Sequence, residues 1–385
     1  MSDVSIWRAL VFLTIFLTVW TGMNAYVVWR TATVPFLAAH LSRRALFTIA
    51  AILWLSLPLA MFLDHARLGV PAAPLVFIAM NWLGVLFLAM TALLLVDVVT
   101  GGGFLLPKPA PTLRGWALAA AAALSAVGLV QGLRDPVVRD YEVTLAGLPK
   151  ERDGLVLVEV SDIHLGTLIG ERWMARLVDR VNAMKPDITV VDGDLVDGNV
   201  NRVEPLLPVL KGLRAPLGVW AVSGNHEFYA GLARCVKLFQ DAGYTVLQDR
   251  WAEVVPGLVF AGVDDLTARR QLGRDGPAVE TALSGRPPGA TVFLSHSPLK
   301  ADAAAAAGAG LMLSGHTHDG QIWPFGTFVH FVYPLLGGRY QVGGMSVIVC
   351  RGTGTWGPRM RLWLPSEIVR ITLRAGGPVP PVAGL

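Results

Sequence analysis

Charge is scarce in this sequence. Only 16% of its 385 residues are Asp, Glu, Lys or Arg, against roughly 25% in an ordinary soluble domain, and the mean hydropathy is +0.53. A chain this apolar is neither disordered nor a small stapled fold, and part of its surface is not meant for water. Cysteine is scarcer still. Cys235 and Cys350 allow one disulfide at most and exclude a cysteine-rich zinc module, which leaves the redox compartment open. Also missing is any run of five to eight Lys or Arg. The net charge of +4 is scattered along the chain, so no nucleic-acid partner is expected.

The few charges are unevenly placed. Twelve fall in the first 135 residues and 48 in the remaining 250. Uncharged runs of 21, 19, 29 and 19 residues separate Arg8 from Arg30, Arg44 from Asp64, Arg67 from Asp97 and Arg114 from Arg134. Each is long enough to cross about 30 Å of hydrocarbon as a helix. The expectation is a membrane domain over 1–135 with four transmembrane helices at about 9–29, 45–63, 75–96 and 115–133. The first run exceeds a signal-peptide core and no small-x-small site follows it, so a retained helix is expected. Trp20, Trp29, Trp54 and Trp82 divide between interfacial belts and packing. Four spans put the loops at 30–44 and 100–114 on one side, with five basic residues against four opposite. That margin leaves the side of the C-terminal domain unresolved.

Beyond a linker and first strand at 136–150, the pattern changes. Short apolar runs at 155–160, 188–191, 217–222, 257–263, 291–295 and 311–314 each end in a polar or glycine-containing turn and read as buried strands. Helical stretches at 171–185, 204–213 and 231–243 lie between them, and the Ala-rich run 303–307 is helix-forming. Such alternation implies an α/β sheet with helices on both faces, whose ligands gather beyond the carboxyl ends of the strands. The domain is expected over 151–375, with a flexible tail at 376–385.

The polar clusters sit at those strand ends. Asp162 and His164 follow the first strand; Gly193, Asp194 and Asp197 follow the second; Asn225, His226 and Glu227 follow the third. His296 follows a later strand, and His316 and His318 close the series. Singly, each fits a turn or a satisfied core histidine. Together they form an oxygen-and-imidazole donor set suited to two divalent first-row metals.

The order Asp-x-His, Gly-Asp-x-x-Asp, Gly-Asn-His-Glu, His, Gly-His-x-His resembles the calcineurin-like metallophosphoesterase superfamily over about 150–370. That resemblance implies an α/β fold, a β-sandwich flanked by helices. It also implies one metal held by Asp162, His164 and His318, a second held by Asn225, His296 and His316, and Asp194 bridging them. His226 would stand beside them as the catalytic residue, with Asp197 and Glu227 orienting its neighbours. Asp197 replaces the tyrosine of purple acid phosphatases. Gly198 and Ser223 stand where Ser/Thr protein phosphatases carry arginines, so both of those activities are disfavoured. Residues 337–367 resemble the membrane-linked branch, where Arg339, Arg351, Arg359 and Arg361 are candidates to bind an anionic head group.

The uncharged runs and the resemblance together imply a membrane-anchored, metal-dependent phosphoric ester hydrolase of the cell or inner membrane, with two divalent ions, Mn²⁺ first and Fe²⁺ or Zn²⁺ as alternatives. Its substrate is expected to be a lipid-linked or small-molecule phosphate ester or pyrophosphate. UDP-2,3-diacylglucosamine in lipid A synthesis is the sharpest candidate, and no obligate protein partner is inferred. An inactive scaffold, or a sensor or transporter with a regulatory phosphoesterase domain, are the competing readings.

Overall fold

The computed structural model describes residues 3–66 and 72–377. The expected tail lies outside the described residues from 378 onward. The chain divides into two compact units, Met1–Leu133 with Gly357–Leu362, and Arg134–Trp356 with Trp363–Leu385.

The first unit is helical: α1 (Asp3–Thr31), α2 (Pro35–His40), α3 (Arg43–Ala66), α4 (Ala73–Thr100) and α5 (Ala110–Gly132). Among the described residues, three stretches are long and apolar enough to cross a membrane: Arg43–Leu63, Ala73–Gly103 and Ala110–Gly132. Only 17%, 33% and 28% of their apolar windows are buried. An apolar helix this exposed suits lipid rather than water. The expected first span falls within α1, whose side chains before residue 11 lie outside the described residues. Trp20 is packed, its indole donating to the Trp54 carbonyl, and Trp82 donates to Asn24. Trp29 instead is exposed, with the Arg30 guanidinium 3.7 Å over its ring. Asp97, near the end of α4, accepts from Tyr26 at 2.7 Å and pairs with Arg30 at 2.7 Å and Arg114 at 3.0 Å. Those opposite charges share the cost of partial burial.

In the second unit the strands are β1 (Val137–Leu145), β2 (Val156–Val160), β3 (Ile188–Asp192), β4 (Val219–Val222), β5 (Thr245–Val246), β6 (Arg250–Val255), β7 (Leu258–Gly262), β8 (Ala290–Leu294), β9 (Leu311–Ser314), β10 (Gly338–Val342), β11 (Met345–Val349) and β12 (Glu367–Ala375). They form two six-stranded sheets, β1-β12-β2-β3-β4-β5 and β10-β11-β9-β8-β7-β6. The strands β2 to β5 run parallel, as do β7, β8, β9 and β11. Helices α6 (Glu171–Ala183), α7 (Leu207–Leu210), α8 (Asn225–Ala230), α9 (Leu232–Asp241), α10 (Leu266–Gln271), α11 (Ala278–Leu283), α12 (Ala301–Ala306) and α13 (Gly326–His330) complete the unit.

Periodicity suggested one sheet covered by helices on both faces, but the two sheets cover each other. Leu157, Val190 and Val222 of the first meet Phe260, Val292 and Leu311 of the second in one core. Among the described residues, helices pack on the outer faces, Leu177 and Phe239 on the first sheet and Val279 and Ala304 on the second. The result is a β-sandwich flanked by helices, the arrangement the family resemblance implied. Uniformly apolar strands specify burial on both faces without specifying what does the burying.

Candidate metal centre

The parallel strands deliver their carboxyl-terminal turns to one edge of the sandwich. Asp162 and His164 follow β2, Asp194 follows β3, Asn225 opens α8 after β4, His296 follows β8, and His316 and His318 follow β9. Five of these residues, Asp162, His164, Asp194, His316 and His318, have φ between 48° and 69°. The left-handed backbone costs free energy in a non-glycine residue and marks a functional cluster. Two glycines allow the turns to approach: a Cβ on Gly224 would overlap the Asp194 carboxylate, and one on Gly315 would overlap Ser161 and Asp162.

Donor atoms converge there. His164 Nε2 and His318 Nε2 are 3.1 Å apart, and His318 Nε2 is 3.3 Å from Asp162 Oδ1. Asp194 Oδ2 lies 3.1 Å from His296 Nε2 and 3.9 Å from His164 Nε2, so its carboxylate stands between two groups of ligand atoms. Two further buried atoms, Asn225 Oδ1 and His316 Nδ1, have no hydrogen-bond partner. Unsatisfied buried acceptors are costly unless a cation receives them. Asp162–His164–His318 and Asp194–His296–His316 each have one ligand atom per residue close enough to share an ion.

The remaining hydrogen bonds aim these side chains. The Asp192 carbonyl faces His296 Nδ1 at 2.6 Å, and the Tyr333 hydroxyl is 2.8 Å from His316 Nε2, turning the opposite ring nitrogens inward. Ser161 Oγ donates to Asp162 Oδ2 at 2.7 Å. Glu227 accepts from the Asp194, Val196 and Gly224 amides at 2.9, 2.9 and 2.7 Å, tying the β3 turn to α8. His226 Nδ1 is 2.8 Å from Asp197 Oδ1.

Without a cation the cluster divides its histidines: burial opposes charge on His296, but Asp194 and Asp162 outweigh it and hold the imidazole well above its ordinary range. Burial, then the charge of neighbouring histidines, pushes His164 down to about 3 and His316 down to about 4, leaving both as neutral lone-pair donors. Burial opposes ionisation of Asp194, yet His296 and His226 hold its carboxyl well below the ordinary range. Burial also opposes charge on His226, but Asp194 and Asp197 outweigh it and push the imidazole up to about 9.

The four arginines are dispersed. Arg351 donates to Asp319 at 2.8 Å and to Glu367 at 3.2 Å, and Arg339 to the Glu142 carbonyl and Ser346. Arg359 and Arg361 lie buried in the segment that groups with the first unit. Tyr333 and the Asp192 carbonyl are contributors that sequence reasoning missed. Tyr333 lies in no motif, and a carbonyl carries no sequence signal.

A family model described as calcineurin-like phosphoesterase matches residues 155–320. An uncharacterized metallophosphoesterase of Aquifex aeolicus is 35% identical over 246 residues, 62% of this chain and 92% of that protein. The chain belongs to the calcineurin-like metallophosphoesterase family. A Danio rerio transmembrane protein with metallophosphoesterase domain is 36% identical over 271 residues, 67% of this chain and 62% of that one. The match thus spans about three fifths of the length of such vertebrate relatives. Among solved structures, a dimetal phosphatase from Danio rerio is similar over 52% of this chain and 88% of that one, at 13% identity and a TM-score of 0.36. The second unit is a metallophosphoesterase domain, and its Asp-x-His, Asp194 and Gly-His-x-His blocks all lie within the matched stretch.

Proposed function

We propose that the chain is a membrane-anchored phosphoesterase with two divalent ions, acting on a lipid-linked phosphate ester or pyrophosphate. The observation that carries the reading is the pair of buried clusters, Asp162–His164–His318 and Asp194–His296–His316, in each of which every residue offers a ligand atom within 4.8 Å of the others. Asp162, His164 and His318 would hold one ion and Asn225, His296 and His316 the other, with Asp194 placed to serve both. When bound, the two ions neutralise phosphoryl oxygens and acidify a water. Mn²⁺ is our first assignment, and the sulfur-free donor set also suits Fe²⁺ and Zn²⁺.

The protein's own groups do the rest. Asp197 fixes the His226 ring through Nδ1, so Nε2 is the atom that delivers a proton to the leaving oxygen. Glu227 holds the Asp194 backbone in its strained conformation through amide hydrogen bonds. The apolar helices of the first unit support an anchor, and we assign α1 as a fourth span in the inner membrane. That anchor favours a substrate that itself resides in the bilayer.

UDP-2,3-diacylglucosamine is the sharpest candidate. Full-length protein reloaded with Mn²⁺ should cleave its pyrophosphate to a nucleoside monophosphate and a phosphorylated glycolipid. Turnover of simple diesters without cleavage of this glycolipid would overturn that candidate. So would terminal reporter fusions that place the domain outside the cytoplasm, where UDP-sugars are absent.

A further inference from the structure

Between Asp319 and Arg339 the sequence has no Lys, Arg, Asp or Glu, although it runs over the surface of the more highly charged unit. The segment carries instead a set of outward aromatic and aliphatic side chains. Trp323 is 50% exposed, Phe328 58%, Phe331 82% and Val332 53%. Trp363, 54% exposed, adds its ring 5.3 Å from Trp323. Contiguous exposed apolar surface on an extramembrane domain marks an interaction site.

Both ends of this segment are tied to the metal centre. It begins just after His318, where the Gln321 side chain exchanges hydrogen bonds of 3.0 and 2.9 Å with the Trp356 backbone. Trp356 in turn sits edge-on to His226, with ring centroids 5.9 Å apart. At the other end Tyr333 contacts His316. The apolar segment therefore borders the metal cluster at both ends.

We infer that residues 323–332, with Trp363, form an interfacial seat that enters the head-group region of a lipid bilayer beside the metal centre. Exposed Trp and Phe side chains are those that settle at the membrane interface, where an apolar face sinks roughly 5–10 Å. The bilayer is the occupant because the same chain supplies one: three helices are apolar enough to cross it, and β1 begins five residues after α5 ends. The inference rests on the membrane-anchored reading above. It adds that lipid head groups at the rim, rather than soluble esters, are what the centre receives.

The test uses the full chain with a Phe331→Cys substitution, labelled with a polarity-sensitive nitrobenzoxadiazole and reconstituted in phosphatidylcholine vesicles. The native thiols are buried, so the probe goes to the new one. A Lys237→Cys label on α9, at a side chain 73% exposed, is the reference. The expected result is blue-shifted emission at position 331, quenched by doxyl-labelled phosphatidylcholine, with neither effect at 237. Emission at 331 matching that at 237 overturns the seat. So does a blue shift that doxyl lipid leaves unquenched, because protein then covers the surface. Lipid-ester hydrolysis measured on the same vesicles keeps the two claims apart: quenching without that hydrolysis supports the seat and removes the lipid-substrate reading.

Discussion

The His226 ring and the Asp197 carboxylate are joined at 2.8 Å through Nδ1, in a cluster where Asp194 supplies a second negative charge. The pair has the form of a carboxylate-oriented acid: one ring nitrogen is committed to Asp197, and the other is fixed in direction.

His226→Ala should therefore lower turnover of a phenyl phosphate ester by about 10²–10⁴-fold. Asp197→Asn, which acts through His226, should cost less. Both losses should shrink when p-nitrophenol replaces phenol, because a more acidic leaving group needs less proton donation. Equal losses for the two leaving groups would show that His226 is not the proton donor.

Tyr333→Phe removes the hydroxyl facing His316 Nε2 and leaves the ring in place. Metal affinity should fall by roughly 10–100-fold, as for other partners that orient metal ligands. Titration of metal-stripped protein measures this directly, and an unchanged affinity would limit Tyr333 to packing.

Glu227→Gln presents an amide where the carboxylate accepts from three backbone N–H groups. At least one buried donor is then left facing another, a loss of about 1–3 kcal/mol. Denaturant unfolding of the variant should show that loss even without metal, which separates this structural role from catalysis.

Both cysteines should be inert in the native protein. Burial, then the nearby Glu227 charge, pushes the Cys235 thiol up to about 12, and burial with Glu159 raises Cys350 well above the ordinary range. At pH 8 both are protonated and inaccessible. Maleimide should label neither until denaturant is added, and rapid native labelling of either would contradict its buried placement.

Much of the site was legible in the sequence because each expected donor follows a strand within one short motif. The distance from Asp162 to His318 along the chain did not matter once parallel strands were expected to end at a common edge. Tyr333 was not legible: it sits fifteen residues after His318, and only the fold of the uncharged segment returns it to His316. The strand β12 was also missed. It pairs in parallel with β1, some 230 residues away, and its Arg370 and Arg374 interrupt the apolar pattern that revealed the other strands. The sandwich could not be read from periodicity, since strands buried on both faces look alike under a helix or under a second sheet.

The central claim is that Asp194 joins two ions into one hydrolytic centre. It is tested most directly by stripping the purified full-length protein of metal, reloading it with Mn²⁺, and measuring bound metal together with hydrolysis of bis-p-nitrophenyl phosphate, for the wild type and Asp194→Asn. The account predicts two ions per chain and metal-dependent turnover in the wild type, with loss of turnover and of at least one ion in the variant. Turnover that survives metal removal, or an Asp194→Asn variant that keeps both ions and full activity, would contradict it.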